Sequence, residues 1–279
     1  NRSERPLDVV QIDHTPADII LVDSFERKPI GRPWVTLAID IATRMVTGYH
    51  VSFEAPSRLS VALCLTRAVA PKAEFLADLE CNAPWPAQGK PVSIHVDNGR
   101  DFRSHAFQSA CAEWGINLVY RPPGSPHFGG HIERLIGTMM GAVHLLPGTT
   151  QSSVAAKGGY DAEANAAMTL REFDLWFALE ICRYNNSIHS SLNCTPVAKW
   201  DALAGEMSGD IPFDMEVFRV SFLPSEQRQV RRDGIHLFDL RYWSDALAGY
   251  VGRRGGKVVV RYDPRDLSAV WVELDGGRC

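Results

Sequence analysis

The chain has 279 residues, of which 45% are hydrophobic and 22% are charged, proportions typical of a globular protein with a full core. No apolar run approaches the ~18 residues of a membrane span, and the six cysteines include no C-x-x-C pair, which argues against a zinc ribbon or a disulfide framework and fits a reducing cytoplasm. The net charge of −4 is unfavourable for DNA binding, but residues 217–279 hold 11 Lys and Arg against 8 Asp and Glu, so the C-terminal part is basic.

The first part of the chain alternates between strand and helix patterns. A tight link at residues 41–43 indicates that the strands on either side of it form an antiparallel pair. Apolar residues at helical spacing predict a helix from Ser57 to about Ala70 that packs on the sheet, and a second helix is predicted near 72–80. The predicted strands of this part are residues 8–13, 18–23, 33–40 and 44–53.

The middle of the chain predicts a strand, a helix and a second strand. PVSIHVD (91–97) has the composition of a buried strand. Residues 104–114 predict a helix that Ser104 caps and Gly115 ends. INLVY (116–120) is the second short strand.

A loop rich in Pro and Gly, residues 121–130, leads into an amphipathic helix. We expect this helix to end at Pro147-Gly148. Small and polar residues at 149–168 predict a linker or mobile loop, and residues 169–189 predict another long helix. The apolar stripe of the amphipathic helix consists of Ile132, Leu135, Ile136, Met139, Met140 and Val143.

The character of the sequence changes near residue 205, after which short strand-like runs alternate with turns. This pattern predicts a small β-barrel as a second domain. The expected organisation is an α/β domain at residues 1–205, a linker at 206–216 and an all-β domain at 217–279. The strand-like runs are residues 217–222, 234–238, 257–263 and 269–274.

Three acidic residues stand out by their position. Asp13 is expected to end the first strand, Asp97 ends a later buried strand, and Glu133 lies in the first turn of a helix entered through a Gly-rich loop. Ligands of α/β sheets are usually held at strand ends. Carboxylate oxygens are the ligands that Mg²⁺ prefers, and two such ions can stabilise both the attacking and the leaving oxygen of a phosphoryl displacement.

Each acid taken alone also fits a structural role. Asp13 could be a residue of a turn after its strand, and Asp97 could begin an Asp-Asn-Gly turn. Glu133 could simply favour the N-terminus of its helix. The combination of the three acids, rather than any one of them, indicates a metal-dependent phosphoryl-transfer enzyme.

The segments around these acids carry a more specific pattern. QIDHT (11–15), HVDNGRDF (95–102) and SPHFGGHIERLIGT (125–138), with 35 residues between Asp97 and Glu133, resemble the D,D-35-E pattern of retroviral-integrase-like DNA transposases. RYNNSIHSSLNCTPVAKW (183–200) resembles the segment that follows the catalytic helix in this superfamily. The segments at 31–57 and 261–273 are similar to those of the TniA/TnsB group and phage Mu transposase.

This resemblance implies an RNase H-like mixed sheet flanked by helices, followed by a small β-barrel. It implies that Asp13, Asp97 and Glu133 bind two Mg²⁺ ions per active site, for which Mn²⁺ can substitute. The implied reaction is cleavage at the 3′ ends of a transposon, followed by transfer of those ends into target DNA. Relatives act as multimers on paired DNA ends and respond to an AAA+ ATPase. The resemblance also implies a protein of the bacterial cytoplasm that acts at the nucleoid.

Several other polar residues compete for a role in the site. Asp40 ends a buried strand, but it also opens a tight turn, where Asp commonly bonds its own backbone. Asp101 is expected to be solvated or to lie next to a ligand. His14 and His95 flank the proposed ligands and are expected to support them or to belong to the core.

Residues next to the acids are candidates for DNA contacts or for orienting the ligands. Asn98 could orient a water molecule or simply complete a turn. Gly137 and Gly141 lie on the Glu133 face of the helix, where they allow either a close DNA backbone or tight helix packing. Since this face has no Lys, Arg134 and His144 are the nearest candidates for phosphate contacts, which departs from many integrase-like enzymes.

Basic residues interleaved with Tyr242, Trp243 and Tyr250 suggest a surface of the second domain that binds the DNA backbone, although solvated surface charge is the alternative. Two further functions stay open at this point: an inactive DNA-binding or regulatory relic of the fold, and a simple RNase H-like nuclease. The basic residues concerned are Arg228, Arg231, Arg232, Arg241, Arg253, Arg254, Lys257 and Arg261.

Overall fold

The computed structural model divides into two compact units, residues 1–215 and 216–279. No helix that it describes is both long and apolar enough to cross a membrane. The structure describes residues 3–97, 99, 105–122, 129–150, 160–204, 214–252, 256–274 and 277–278.

A five-stranded mixed sheet forms the centre of the first unit. Its strands are β1 (Val9–Pro16), β4 (Trp34–Asp40), β5 (Val46–Ser52), β6 (Ser93–Val96) and β7 (Asn117–Tyr120). The order across the sheet is β5-β4-β1-β6-β7; β1, β4 and β5 pair antiparallel, whereas β6 and β7 run parallel to β1. This order and these directions confirm the RNase H-like sheet that the resemblance implied.

Helices cover this sheet, as predicted. Helix α1 (Arg58–Val69) packs closely against the middle of β5. The distance shows this: a Cβ on Gly48 of β5 would lie 2.6 Å from the main chain of α1. The amphipathic helix α4 contacts β1 and β4 and buries most of its predicted stripe. The described helices of this unit are α1 (Arg58–Val69), α2 (Ala73–Asp78), α3 (His105–Glu113), α4 (Gly130–Val143), α5 (Leu170–Asn185) and α6 (Pro196–Ala204).

Several predicted boundaries are corrected by tertiary contacts. The predicted strand 18–23 is reduced to β2 (Leu21–Val22), which pairs with the unpredicted β3 (Pro29–Gly31). The helix predicted to reach Pro147 ends at Val143, and the helix predicted to reach residue 189 ends at Asn185. Ser104, the predicted cap of α3, lies outside the described residues.

The second unit is rich in strands, as predicted, but it begins with a helix. Its core is formed by Val230, Ile235, Leu237, Leu247, Val258, Val260 and Val272. Four strands form a sheet of order β13-β12-β11-β8, and β9 and β10 form a hairpin. The elements are α7 (Met215–Phe222), β8 (Ser225–Gln229), β9 (Ile235–Leu237), β10 (Leu240–Tyr242), a 3-10 helix (Asp245–Tyr250), β11 (Lys257–Asp263), β12 (Asp266–Leu274) and β13 (Gly277–Arg278).

The prediction of a strand at residues 217–222 was therefore wrong. In VFRVSF the apolar residues fit a period of two as well as a helical period, so periodicity could not separate the two structures. As a helix, the segment brings Phe218 and Phe222 onto one face, where their ring centroids lie 5.1 Å apart and both side chains are buried. The helix also begins inside the predicted linker 206–216.

Candidate active site

The proposed ligand Asp13 lies on β1, and the proposed ligand Asp97 directly follows β6, the strand next to β1 in the sheet. β1 pairs with β6 in a parallel register that ends at Gln11 opposite His95. Extended by two residues, the same register would set Asp13 level with Asp97, and residues two apart on a strand share a face. Neighbouring strands are about 4.8 Å apart, so both carboxylates start from adjacent points of one sheet edge.

Asp13 does not end its strand as predicted. β1 continues to Pro16 because its other neighbour, β4, continues to pair with it, from Asp13 opposite Leu37 to Pro16 opposite Trp34. The paired part of β6 stops earlier, and this leaves Asp13 beside the end of β6. The feature that matters for the site is therefore the end of β6.

Glu133 is brought to the same edge by a hydrogen bond between β1 and α4. The backbone N–H of Ile132 donates to the side-chain oxygen of Gln11 at 3.2 Å. Gln11 is 1% exposed and lies on the face of β1 that carries Asp13, two residues before it. Since Glu133 follows Ile132 in the first turn of α4, the buried amide of Gln11 fixes the helix start next to the aspartates. We call Asp13, Asp97 and Glu133 the acidic edge.

A cationic side chain, Arg121, reaches into the acidic edge. Arg121 follows β7, where its backbone N–H donates to Val96 O at 2.9 Å. Its guanidinium Nη2 donates to Asp13 Oδ2 at 3.0 Å and to Ile12 O at 3.2 Å. Because β6 lies between β7 and β1, the Arg121 side chain passes the end of β6, which Asp97 follows.

The other end of the guanidinium lies close to Glu133. A Cβ on Gly129 would be 2.5 Å from Glu133 Oε1 and 2.6 Å from Arg121 Nη1, so both atoms converge on the bare Cα of Gly129. Any other residue at position 129 would displace one of these two groups. Arg121 thus bonds Asp13 with one nitrogen and lies near the Glu133 carboxylate with the other.

Gln11, Arg121 and Gly129 contribute to this site but were not predicted from the sequence. Gln11 lies inside the motif QIDHT and Arg121 is the first residue of the Pro- and Gly-rich loop, so both belong to segments that the sequence singles out. What the sequence lacked was the pairing, because Arg121 and Asp13 are 108 residues apart and Gln11 and Ile132 are 121 residues apart.

The donor chemistry of the acidic edge suits a hard divalent cation. Asp13 Oδ1 accepts from the backbone N–H of His14 at 2.9 Å, and Asp97 Oδ1 accepts from that of Gly99 at 2.8 Å. A carboxylate has about four lone-pair sites, so both groups keep acceptor capacity. Among the residues that the structure describes, however, no group of three His, Cys, Asp and Glu side chains is arranged to hold a metal ion.

His14 and His95, the two histidines beside the proposed ligands, support the structure around the acidic edge. His14, whose side chain is on the opposite face from Asp13, bonds Thr36 Oγ1 through Nδ1 at 2.9 Å. His95 is buried in register with Gln11, and burial, together with the nearby charge of Arg121, lowers its pKa. His95 therefore stays neutral at pH 7 beneath the carboxylates.

Asp40 does not belong to the acidic edge. Its buried carboxylate accepts from the backbone N–H of Leu7 at 2.8 Å, and from the backbone N–H and the hydroxyl of Thr43 at 2.8 and 2.6 Å. Burial raises the pKa of Asp40 to about 6. Its contacts are those of a turn residue. The other rival acid, Asp101, and the candidate Asn98 lie outside the described residues.

The face of α4 below Glu133 is open. A Cβ on Gly137 or Gly141 would meet no described atom within 4 Å, and both glycines are exposed. Tight helix packing therefore does not explain these glycines within the described part of the chain. A second chain or a DNA backbone has room to approach this face.

Positive charge gathers beside the start of α4. Arg134 is exposed and donates from Nε to Gly130 O at 3.1 Å. Burial, together with the nearby charges of Arg44, Arg134 and His189, lowers the pKa of His131 to about 4. His131 is neutral at pH 7, so the two arginines supply the charge of this surface.

His144 does not join the acidic edge. It follows the last turn of α4, eleven residues from Glu133, which corresponds to about 16 Å along a helix. Its Nε2 lies 3.1 Å from Asp18 Oδ2, and Arg32 donates to the other oxygen of the same carboxylate at 2.6 Å. A role of His144 in supporting the ligands is thus excluded by its position, whereas a DNA contact stays a prediction.

In the second unit, the predicted basic surface is smaller than expected. Arg228 pairs with Glu226 on its own strand, β8, and Arg261 of β11 donates to Glu273 Oε1 of β12 at 2.8 Å, so the charges of these two arginines are partly neutralised within the second unit. The remaining candidates that the structure describes are exposed: Arg231, Arg232, Arg241 and Lys257. Arg253 and Arg254 lie outside the described residues.

Comparison with known families and proteins agrees with this division of the chain. A family model described as the TnsB C-terminal domain matches residues 11–148, and one described as the C-terminal domain of Mu transposase matches residues 219–279. The transposase of transposon Tn552 from Staphylococcus aureus is 31% identical over 272 residues, covering 97% of this chain and 52% of that protein.

A second curated relative and one solved structure are also similar to this chain. The transposon Tn7 transposition protein TnsB from Escherichia coli is 27% identical over 250 residues, covering 83% of this chain and 36% of that protein. The chain thus spans about half the length of the Tn552 transposase and about a third of TnsB. Among solved structures, the HTLV-2 integrase catalytic core domain in complex with magnesium covers 71% of this chain and 98% of its own, at 16% identity and a TM-score of 0.42.

Proposed function

This chain belongs to the transposase and integrase superfamily, in the group of TnsB, the Tn552 transposase and Mu transposase, and from that premise we propose that it is the catalytic core of a DNA transposase. The proposed reaction is metal-dependent cleavage at the 3′ ends of a transposon and transfer of those ends into target DNA. The observation that supports the proposal is that Asp13 lies on β1, Asp97 follows the neighbouring strand β6, and Gln11 of β1 bonds the start of the helix that carries Glu133.

Asp13, Asp97 and Glu133 are the residues that would hold two Mg²⁺ ions, or Mn²⁺ ions in their place. Bound there, such a pair activates the attacking hydroxyl and stabilises the charge on the leaving oxygen. The residues of the chain contribute position: Gln11 fixes the start of α4, β1 carries Asp13, and Asp97 follows the neighbouring strand β6. No residue of the acidic edge acts as a covalent nucleophile, which agrees with a direct exchange of phosphodiester bonds.

The DNA partners follow from the surfaces around the acidic edge. The open face at Gly137 and Gly141 leaves room for a DNA backbone, and Arg134 and Arg44 supply positive charge next to it. In the second unit, Arg231, Arg232 and Lys257 would bind phosphates without reading the sequence. We also propose the division into a catalytic domain at 1–205, a linker at 206–216 and a DNA-binding domain at 217–279.

The proposal extends to the assembly in which the protein acts. Joining two transposon ends to one target requires two active sites, so we propose a multimer on paired DNA ends. The remaining parts of the proposal are regulation by an AAA+ ATPase and a location at the bacterial nucleoid.

Asp97→Asn tests the chemistry of the site. The protein is incubated with Mn²⁺, a supercoiled plasmid and labelled duplexes that carry the terminal sequence of the element with a free 3′-hydroxyl. We expect labelled plasmid from the wild type and none from Asp97→Asn. Folding should be kept, because the amide oxygen of Asn can still accept the N–H of Gly99. The matched control is Asp78→Asn, which removes an exposed acid at the end of α2 and should leave joining unchanged.

Three outcomes of this assay separate the candidate functions. Joined product that depends on Asp97 supports a transposase. Cut plasmid without joined product indicates a simple RNase H-like nuclease. DNA binding without either product indicates an inactive relic of the fold, and joining that survives Asp97→Asn overturns the assignment of the site. A crystal soaked in Mn²⁺ should show metal density between the three acids.

A further inference from the structure

The acidic edge contains its own cation before any metal enters. Arg121 and Asp13 form an ion pair of 3.0 Å, in which the two side chains are only 12% and 17% exposed. The same guanidinium approaches Glu133 at Gly129 and passes the end of β6 that Asp97 follows. One positive charge thus contacts Asp13, lies near Glu133 and passes the strand that Asp97 follows.

The position of Arg121 is fixed by the main chain rather than by a flexible surface contact. Its backbone N–H is bonded to Val96 and its guanidinium to the carbonyl of Ile12 as well as to Asp13. By contrast, Arg134, the neighbouring arginine on α4, is exposed. Weakly screened pairs interact more strongly than exposed ones, so the charge of Arg121 bears directly on the acids.

A divalent ion and Arg121 make conflicting demands on the same carboxylate. A metal held by Asp13 and Asp97 would take oxygens from Asp13, of which Oδ2 is bonded to Arg121 and Oδ1 to the N–H of His14. It would also place two positive charges within a few ångströms of the guanidinium, and like charges at that distance repel. Metal binding therefore has to compete with the Arg121–Asp13 pair.

We propose that Arg121 is a built-in counter-ion of the acidic edge, which holds the acids together without metal and gives up Asp13 when a divalent ion binds. This inference rests on the proposed metal site. Arg121 is a positioning residue in this role: it sets the affinity for the metal by acting on Asp13. The consequence is an active site that assembles fully only when the metal concentration is sufficient to displace an internal partner.

Mn²⁺ binding to the metal-free protein tests this role without any measurement of activity. The free Mn²⁺ concentration is followed by electron paramagnetic resonance during titration of the wild type and Arg121→Gln. We expect the dissociation constant to fall about tenfold or more in Arg121→Gln, because a positive charge near the dication is removed. The unfolding temperature without metal should fall in the same variant, and saturating Mn²⁺ should narrow this difference.

Two further variants keep the result interpretable. Arg32→Gln removes an arginine from another Arg–Asp pair of the first unit, that with Asp18 at 2.6 Å, and should leave Mn²⁺ binding unchanged. Arg121→Lys keeps the charge but loses the planar fork, of which Nη2 bonds Asp13 and Ile12 while Nη1 lies near Glu133, so the hold of this side chain on the acids should weaken. If Arg121→Gln does not fold, Arg121→Lys should still bind Mn²⁺ more tightly than the wild type.

The outcomes separate this inference from the proposed function. Mn²⁺ binding that is unchanged or weaker in the Arg121 variants overturns the counter-ion role but leaves the metal site in place. Absence of Mn²⁺ binding from the wild type and from every variant overturns both. Tighter binding in Arg121→Gln, with Arg32→Gln equal to the wild type, supports the role of Arg121.

Discussion

The open face of α4 gives a prediction in which stability and activity move in opposite directions. Gly137 and Gly141 lie within a helix, and a Cβ on either residue meets no described atom within 4 Å. Glycine in an exposed helix interior costs about 0.8–1.0 kcal/mol relative to alanine. We therefore expect Gly137→Ala with Gly141→Ala to raise the free energy of unfolding by about 1.5–2 kcal/mol, somewhat less than twice the single value because Gly141 lies in the last turn.

Urea denaturation followed by circular dichroism measures this gain. A shift of about 2–4 °C in the unfolding temperature is expected for each kcal/mol in a domain of this size, so thermal unfolding gives a second reading. Gly48→Ala is the contrasting variant, because its Cβ would lie 2.6 Å from backbone atoms of α1 and should destabilise the protein. Loss of stability in the Gly137 and Gly141 variants would show that this face is packed, and would refute the reasoning.

The same position tests whether DNA uses the open face. Gln is a better helix former than Gly, so Gly137→Gln should also stabilise the fold. If a DNA backbone lies on this face, the longer side chain blocks it and strand joining should fall by about tenfold or more, the equivalent of one lost contact of about 1.4 kcal/mol. Joining at the wild-type rate by a more stable Gly137→Gln would show that the face is only solvated.

Three other substitutions test the packing of the first unit. Gly129→Ala should reduce joining with little loss of stability, because its Cβ displaces groups of the acidic edge. Gly130→Ala is the control and should leave joining unchanged, because its Cβ would lie 3.7 Å from its nearest described neighbour. Burial raises the pKa of Asp40 to about 6, so its stabilisation is full only below the unfolded pKa of about 4 and is lost as the pH rises through 6. Urea titrations should show the wild type losing about 2.5 kcal/mol relative to Asp40→Asn between pH 4 and pH 7. Buried Lys72 donates to three main-chain carbonyls, so Lys72→Met should lower the free energy of unfolding, measured by urea denaturation, by about 3 kcal/mol or more. Lys28→Met, at an exposed position, should lower it little.

Much of the first unit could be predicted because its local sequence patterns fit only one type of secondary structure. In β4 and β5, runs rich in Val and Ile around a short turn leave few alternatives to an antiparallel pair, and the structure confirms it. In α4, the apolar stripe repeats at helical spacing over four turns, and most of it is buried. The segment 217–222 fits both periods, so its helix was decided by the contact between Phe218 and Phe222.

The residues that support the site could not be predicted in the same way. Gln11 and Arg121 act through partners more than 100 residues away, and nothing in the local sequence states which strand lies next to which. Their partners became evident only from the order β1-β6-β7, which carries the Arg121 side chain past β6 to Asp13. For the same reason, the sequence suggested His144 as a neighbour of the acids, although it lies at the opposite end of α4.

The sequence by itself determined the superfamily of this protein: three carboxylates, their spacing and the motifs around them place the chain there and predict metal-dependent phosphoryl transfer. Only the tertiary structure decided how these carboxylates are positioned, since β1 and β6 are neighbouring strands and one buried amide fixes the start of the helix that carries Glu133. It also decided that Arg121 is the partner of Asp13, because residue types are local properties whereas distances between charges depend on the packed sheet.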